Sequence, residues 1–209
     1  MEFTGFPVAA LDFYDDLEVD NSRSFWEAHR AVYEDAVKAP MTALCEALEP
    51  EFGSAKIFRP YRDVRFAKDK TPYKTHQGAF VAAGPALGWY VELSPRGVRV
   101  GGGFYEASGE RLAAVRDAIA DDKSGPHLKR VLTKLEKGGF EIAGEQLKTA
   151  PRGYDKDHVR IDLLRHKQII AAKPYGFEKL IHSAELLDQV RADWRALNPL
   201  VTWLGRVLG

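Results

Sequence analysis

The chain has 209 residues, 45% of them hydrophobic and 29% charged, with 30 Lys and Arg balanced by 30 Asp and Glu. That length suits one substantial core rather than two, and no stretch approaches the ~20 consecutive apolar residues that a membrane span requires. Cys45 is the sole cysteine, which excludes an internal disulfide and a thiolate zinc cluster, and the short acidic start at residues 1–5 lacks the basic flank and apolar run of a secretory signal, so a cytoplasmic protein is expected.

Zero net charge conceals a segregation. Residues 1–58 carry four Lys/Arg against twelve Asp/Glu, whereas residues 59–99 carry eight cations against Asp63, Asp69 and Glu92. Such a division suits either an anion-binding centre or an acidic helical region folded against a basic one.

In chain order, Leu11, Phe13, Tyr14 and Leu17 predict an amphipathic helix ending near Asp20-Asn21. A second helix is expected from Ser24, capped by that serine with Glu27 three residues on; it places Trp26, His29, Arg30 and Tyr33 on one face. Pro40 is expected to open a third helix that stops before Gly53. The middle of the chain changes character. Residues 77–83, 89–94 and 97–102 are short runs rich in Val and aromatics, divided by Gly and Pro, and they predict strands; residues 55–60 make a further one. Pro95-Arg96-Gly97 reads as a hairpin turn. Helices are expected again at residues 108–120 and 126–137, from Asp157, at 183–194 and from Pro199, with short strands at 140–143 and 168–172. Helices, then strands, then helices give an α+β fold: a single domain, its mainly antiparallel sheet packed with helices from both the N-terminal and C-terminal parts of the chain.

The densest chemistry lies in residues 59–76, which hold six cations, two aspartates, three aromatics and two prolines. In an extended stretch Arg62, Val64 and Phe66 share one face, and Tyr61, Asp63 and Arg65 the other. Pro72 disfavours helix, so strand plus ordered loop is expected. Arginine suits bidentate contact with phosphate or carboxylate, and lysine adds a mobile point charge. Arg62, Arg65, Lys70 and Lys74, with Tyr61 and Tyr73, are therefore the candidate ligand-binding residues, for an anionic small molecule or nucleotide. An enzyme reading gives Asp63, Asp69 and His76 acid/base roles. A third reading makes the block an ion-pair network in a structural or protein-interaction module, a homo-oligomer included. Neutral overall charge disfavours extended nucleic acid as a partner.

Two weaker constellations remain. Gly101-Gly102-Gly103 before a helix at Ser108 could approach a phosphate, but it lacks the Gly-Lys-Ser/Thr ending of a P-loop, and glycines that close a strand or make a bulge are far commoner. His158, Asp162 and His166 share one face if helical, yet the outer two lie ~12 Å apart by helix rise, so no metal site is assigned. No cofactor is indicated.

The run Arg62-Asp63-x-Arg65-Phe66-x-x-Asp69-Lys70-x-Pro72-Tyr73-Lys74 resembles the signature of a conserved hypothetical family, the domain of unknown function 2461. Phe3-x-Gly5-Phe6, residues 21–33 with Phe25-Trp26 and His29, and Val100-Gly101-Gly102-Gly103-Phe104-Tyr105 are similar to other parts of it. So are residues 152–158 and Leu163-Leu164-Arg165-x-Lys167. The resemblance spans nearly the whole chain; Phe25-Trp26 stands in the reverse of the family's commoner order. It implies no established activity, cofactor or catalytic residue.

Overall fold

A computed structural model describes residues 2–65, 68–105 and 109–209. Helices α1 (Val8–Val19), α2 (Arg23–Val32) and α3 (Ala39–Phe52) open the chain and are followed by strands β1 (Ala55–Ile57), β2 (Gln77–Gly84), β3 (Leu87–Ser94) and β4 (Gly97–Phe104). Next come α4 (Gly109–Ala120), α5 (Ser124–Lys137), β5 (Glu141–Ala143), α6 (Ile161–Leu164), β6 (Ile169–Gly176) and α7 (Glu185–Leu208). The strands form one six-stranded sheet in the order β1-β2-β3-β4-β6-β5, with β1 and β5 antiparallel to their neighbours. The fold is α+β, as the succession of helical and strand patterns predicts.

The chain divides into two compact units: Met1–Val81 with Tyr90–Val100 and Pro174–Ala192, and Ala82–Trp89 with Gly101–Lys173 and Asp193–Gly209. The division falls inside β2, β3, β4 and β6, not at a linker. In the first unit Phe6, Tyr14, Leu17, Met41, Leu44 and Leu48 are fully buried. In the second, Ile119, Leu128 and Trp194 are, and Arg160 closes α4 from outside by donating from Nε to the Ile119 carbonyl at 2.6 Å and from Nη2 to Ala120 at 2.7 Å. Those are carbonyls a helix C-terminus leaves without partners.

Several expectations are corrected. The cap of α2 is Ser22, whose Oγ accepts from the Phe25 amide at 3.2 Å, not Ser24. Pro40 stands in the first turn of α3, which stops before Gly53 as expected, but α3 runs on from α2 without a break. Residues 23–52 are helical throughout, with a π-helical segment at Tyr33–Lys38 just before Pro40, where the Ala39 amide donates to Glu34. Proline lacks the amide that an interior turn requires, and widening the turn before it accommodates that loss. The two helices expected at the C-terminus are one, α7, with Pro199 inside it. Residues 157–160 turn rather than form helix, leaving only Ile161–Leu164, and His166 sits in an isolated bridge to Gln146. His158, Asp162 and His166 therefore do not share a helical face. Ser108, the expected helix start, and Phe66, the expected strand-face partner of Arg62, lie outside the described residues. Gly101, Gly102 and Gly103 belong to β4. An added Cβ would lie 3.1 Å from the Ala171 oxygen at Gly101, 3.1 Å from the Gly88 oxygen at Gly102, and in outright clash with the Ile169 oxygen at Gly103. Close strand packing is what these glycines serve.

Gly97, at the β3–β4 turn, has φ +90, and a Cβ there would overlap the Gly176 carbonyl oxygen. Gly97→Ala is expected to cost more than ~2 kcal/mol, from left-handed strain together with a backbone clash. Gly205→Ala, inside α7 with only ordinary contact to Leu87, should instead gain roughly 0.5–1 kcal/mol. Urea midpoints of the two variants check both signs.

Candidate functional site

In the first unit, the basic block folds as a closed loop. Tyr61 and Tyr73 form an isolated antiparallel bridge, flanked by the Arg62 amide donating to Pro72 O at 2.9 Å and the Lys74 amide donating to Pro60 O at 2.8 Å. The free edge of Tyr73 is satisfied by one side chain. Asn21 Oδ1 accepts from the Tyr73 amide and Asn21 Nδ2 donates to its carbonyl, both at 3.0 Å. The Tyr73 ring stacks on Trp26 at 4.4 Å with the planes 7° apart, a contact worth about 0.5–1.5 kcal/mol beyond burial. Tyr73 is thus buried, while Tyr61 keeps 48% of its surface exposed.

The four candidate cations all have partners within the chain. Arg62 pairs with Asp69. Arg65 is bidentate on Asp63, at 2.9 Å from Nε and 2.6 Å from Nη2. Lys70 donates to the Val64 carbonyl at 2.9 Å, and Lys74 donates to the Arg59 carbonyl at 2.9 Å and lies over the Phe58 ring. Asp69 also accepts from the Thr71 amide and hydroxyl. Both aspartates are held below the usual carboxylate range: Asp63 by its bonds to Arg65, Asp69 first by Thr71 and then by Arg62. They are exposed acceptors committed to the loop.

His76, the last residue of the block, faces elsewhere. Its Nε2 stands 3.9 Å from Glu92 Oε2. Asp63 or Asp69 is the orienting carboxylate that the sequence suggests for this imidazole; Glu92 occupies that place instead. Glu92 is 8% exposed, and its carboxylate accepts from the Tyr90 hydroxyl at 2.6 Å and from Arg99 at 3.0 and 3.1 Å. Burial together with the adjacent Glu92 charge pushes the Tyr90 phenol far up, so it stays protonated as a donor. Two deeper groups continue this polar interior. Tyr33, its phenol raised to about 12 chiefly by burial, donates to Gln77 Oε1 at 2.7 Å, and Gln77 Nε2 donates to the Phe58 carbonyl at 2.8 Å.

Beside Glu92 opens a pocket of about 380 Å³ whose walls include His76, Arg96, Arg99, Thr75 and Ser94, with Glu18 from α1. Among its described residues, the block therefore brings only Thr75 and His76 to the pocket's walls. Arg96, Arg99, Glu92, Tyr90 and Asn21 do not stand out from the sequence as site residues. Two are within reach of it: a hairpin folded at Pro95-Arg96 brings Glu92 and Arg99, nearly equidistant from the turn, alongside each other.

Burial lowers the proton affinity of His76; Glu92 opposes this, and Lys74, Arg99 and Arg62 reinforce it. In the second unit, burial likewise lowers His166, with the Gln168 carbonyl and Asp162 opposing. Both imidazoles thus bind protons more weakly folded than unfolded. Their contribution to stability is complete above the unfolded value near ~6.5 and is lost as pH falls through the folded values. The urea midpoint should fall between pH 7 and pH 5, and His76→Gln should flatten part of that slope. An unchanged slope in the variant would show that His76 is not depressed.

A profile of the conserved hypothetical protein family known as domain of unknown function 2461 matches residues 9–203. No curated protein matches the chain. Among the described residues, no group of three or more His, Cys, Asp or Glu is arranged to hold a metal ion, and no helix is long and apolar enough to cross a membrane. The match covers nearly the whole chain, the basic loop and the Glu92 pocket included, and the chain belongs to the domain of unknown function 2461 family.

Proposed function

We propose that the protein binds a small phosphate- or carboxylate-bearing anion in the pocket beside Glu92, with Arg96 and Arg99 as its charged contacts and His76, Thr75 and Ser94 as hydrogen-bonding partners. The observation that carries this reading is a concave polar site of ligand size in which the buried carboxylate is already neutralised by Arg99. Arg96 has no acidic partner among the described residues, and its backbone amide is held by Ser94 Oγ at 3.3 Å. The turn fixes the Arg96 backbone, and its exposed guanidinium can offer an oxyanion a bidentate contact.

The basic loop supports the site from the side. Lys74 and Arg62 act on His76 through space and add to the positive potential that an anion would meet. Tyr61 and Tyr73 hold the loop closed. Arg65 and Lys70, engaged by Asp63 and the Val64 carbonyl, brace the loop itself. That internal pairing favours a second reading of this segment as an ion-pair network, with the ligand contacts displaced to the β3–β4 turn. Acid/base chemistry, if the ligand is a substrate, falls to His76, the one candidate among Asp63, Asp69 and His76 that lines the pocket.

Titration with inorganic phosphate and with citrate, followed by the His76 imidazole resonances and by calorimetry, tests the site. Saturable binding is expected. Arg96→Ala should weaken it by about tenfold or more, the loss of a charge-assisted contact, while Arg65→Ala should leave it unchanged. Loss of binding in Arg65→Ala with retention in Arg96→Ala would place the ligand on the loop instead.

A further inference from the structure

A second pocket in the same unit has the opposite chemistry. It encloses about 530 Å³ between the N-terminal arm (Thr4, Gly5, Phe6, Pro7), the π-helical segment and start of α3 (Asp35, Ala39, Pro40), and His182. The arm is fixed in place. The Phe6 amide donates to Ile181 O at 2.8 Å, and Gly5, with φ +105, lies so close to the 182–183 backbone that a Cβ would overlap the His182 carbonyl carbon. The pocket wall is therefore preformed.

The hydrogen bond between His182 and Phe6 determines the tautomer. Nδ1 stands 2.7 Å from the Phe6 carbonyl oxygen; a carbonyl can only accept, so Nδ1 carries the proton. In the neutral ring Nε2 is then an acceptor, without a partner among the described residues. The Asp35 side chain, which also lines the pocket and is exposed, has no partner among them either. The neighbouring cation, Lys38, is taken by Glu34 at 2.7 Å. Pro40 cannot supply the amide that the wide turn would aim at the Asp35 carbonyl. The ionisable lining thus consists of two acceptors, one of them negatively charged, set among the apolar surfaces of Phe6, Pro7, Ala39 and Pro40.

We propose that this pocket binds a primary ammonium group on an aliphatic body, the ammonium between the Asp35 carboxylate and His182 Nε2. The ligand supplies donors, because the wall offers acceptors; positive charge suits the exposed Asp35 carboxylate, which has no partner among the described residues; and its alkyl portion replaces water on the proline and phenylalanine surfaces. A π-helical segment supplying a ligand-facing residue agrees with where such segments recur. This site is independent of the anion pocket and survives its failure.

The test uses n-butylammonium at pH 8, where the amine is charged, with n-butanol as an uncharged probe of equal shape. Side-chain nitrogen spectra of His182 report binding at Nε2. The expected result is a saturable shift of Nε2 with the amine, at least about fivefold weaker binding of the alcohol, and about fivefold weaker binding of the amine by Asp35→Asn. No described residue bonds to the Asp35 side chain, so the variant should unfold at the same temperature as the wild type. Equal binding of amine and alcohol, an unaltered affinity in Asp35→Asn, or no saturation of the His182 signal would each overturn the proposal.

Discussion

Tyr73 is the residue on which the arrangement of the basic segment depends. Its backbone has two neighbours, Tyr61 across the bridge and the Asn21 side chain on the other edge, and its ring is stacked on Trp26. A buried amide and carbonyl without partners would each cost about as much as a lost hydrogen bond. One asparagine removes both costs by presenting a donor and an acceptor with the spacing of a strand. The consequence runs in two directions. Behind Tyr73 the loop is closed and its ion pairs are short-range; ahead of it, Thr75 and His76 lead into β2 at a fixed place and reach the wall of the Glu92 pocket.

Glu92 imposes the second constraint. A carboxylate taken out of water must be compensated on every side, and here the compensation comes from a phenol kept protonated by burial, a bidentate arginine and an imidazole nearby. With that charge neutralised, Arg96 lines the same pocket without an acidic partner among the described residues. Exposed pairs within the loop, such as Arg65 with Asp63, are screened by water and contribute order rather than potential.

Much of the fold is legible in the chain. The strands β2, β3 and β4 follow from valine and aromatic runs cut by Gly and Pro, and α1 follows from Leu11, Phe13, Tyr14 and Leu17. Local signals mislead where two are equivalent or where a proline is taken at face value. Ser22 and Ser24 both suit a cap, and only the geometry of the Phe25 amide chooses Ser22. Pro199 reads as the start of a helix, yet it lies inside α7, because packing of the flanking turns outweighs one missing hydrogen bond. The site divides the same way. His76 is legible as the end of a basic block, but its neighbouring carboxylate comes from β3 rather than from Asp63 or Asp69 within the block.

The sequence by itself determined the fold class, the family, the charge segregation and the position of the basic loop, because these are properties of composition, periodicity and contiguous motif. Tertiary structure alone decided which charges are consumed and which remain available. Arg62 and Arg65 are matched by aspartates seven and two residues away, whereas Arg96 has no acidic partner among the described residues. His182 acquires a defined tautomer from Phe6, 176 residues earlier in the chain. Pairing of that kind depends on distances through space between groups distant in sequence, and no local pattern encodes it.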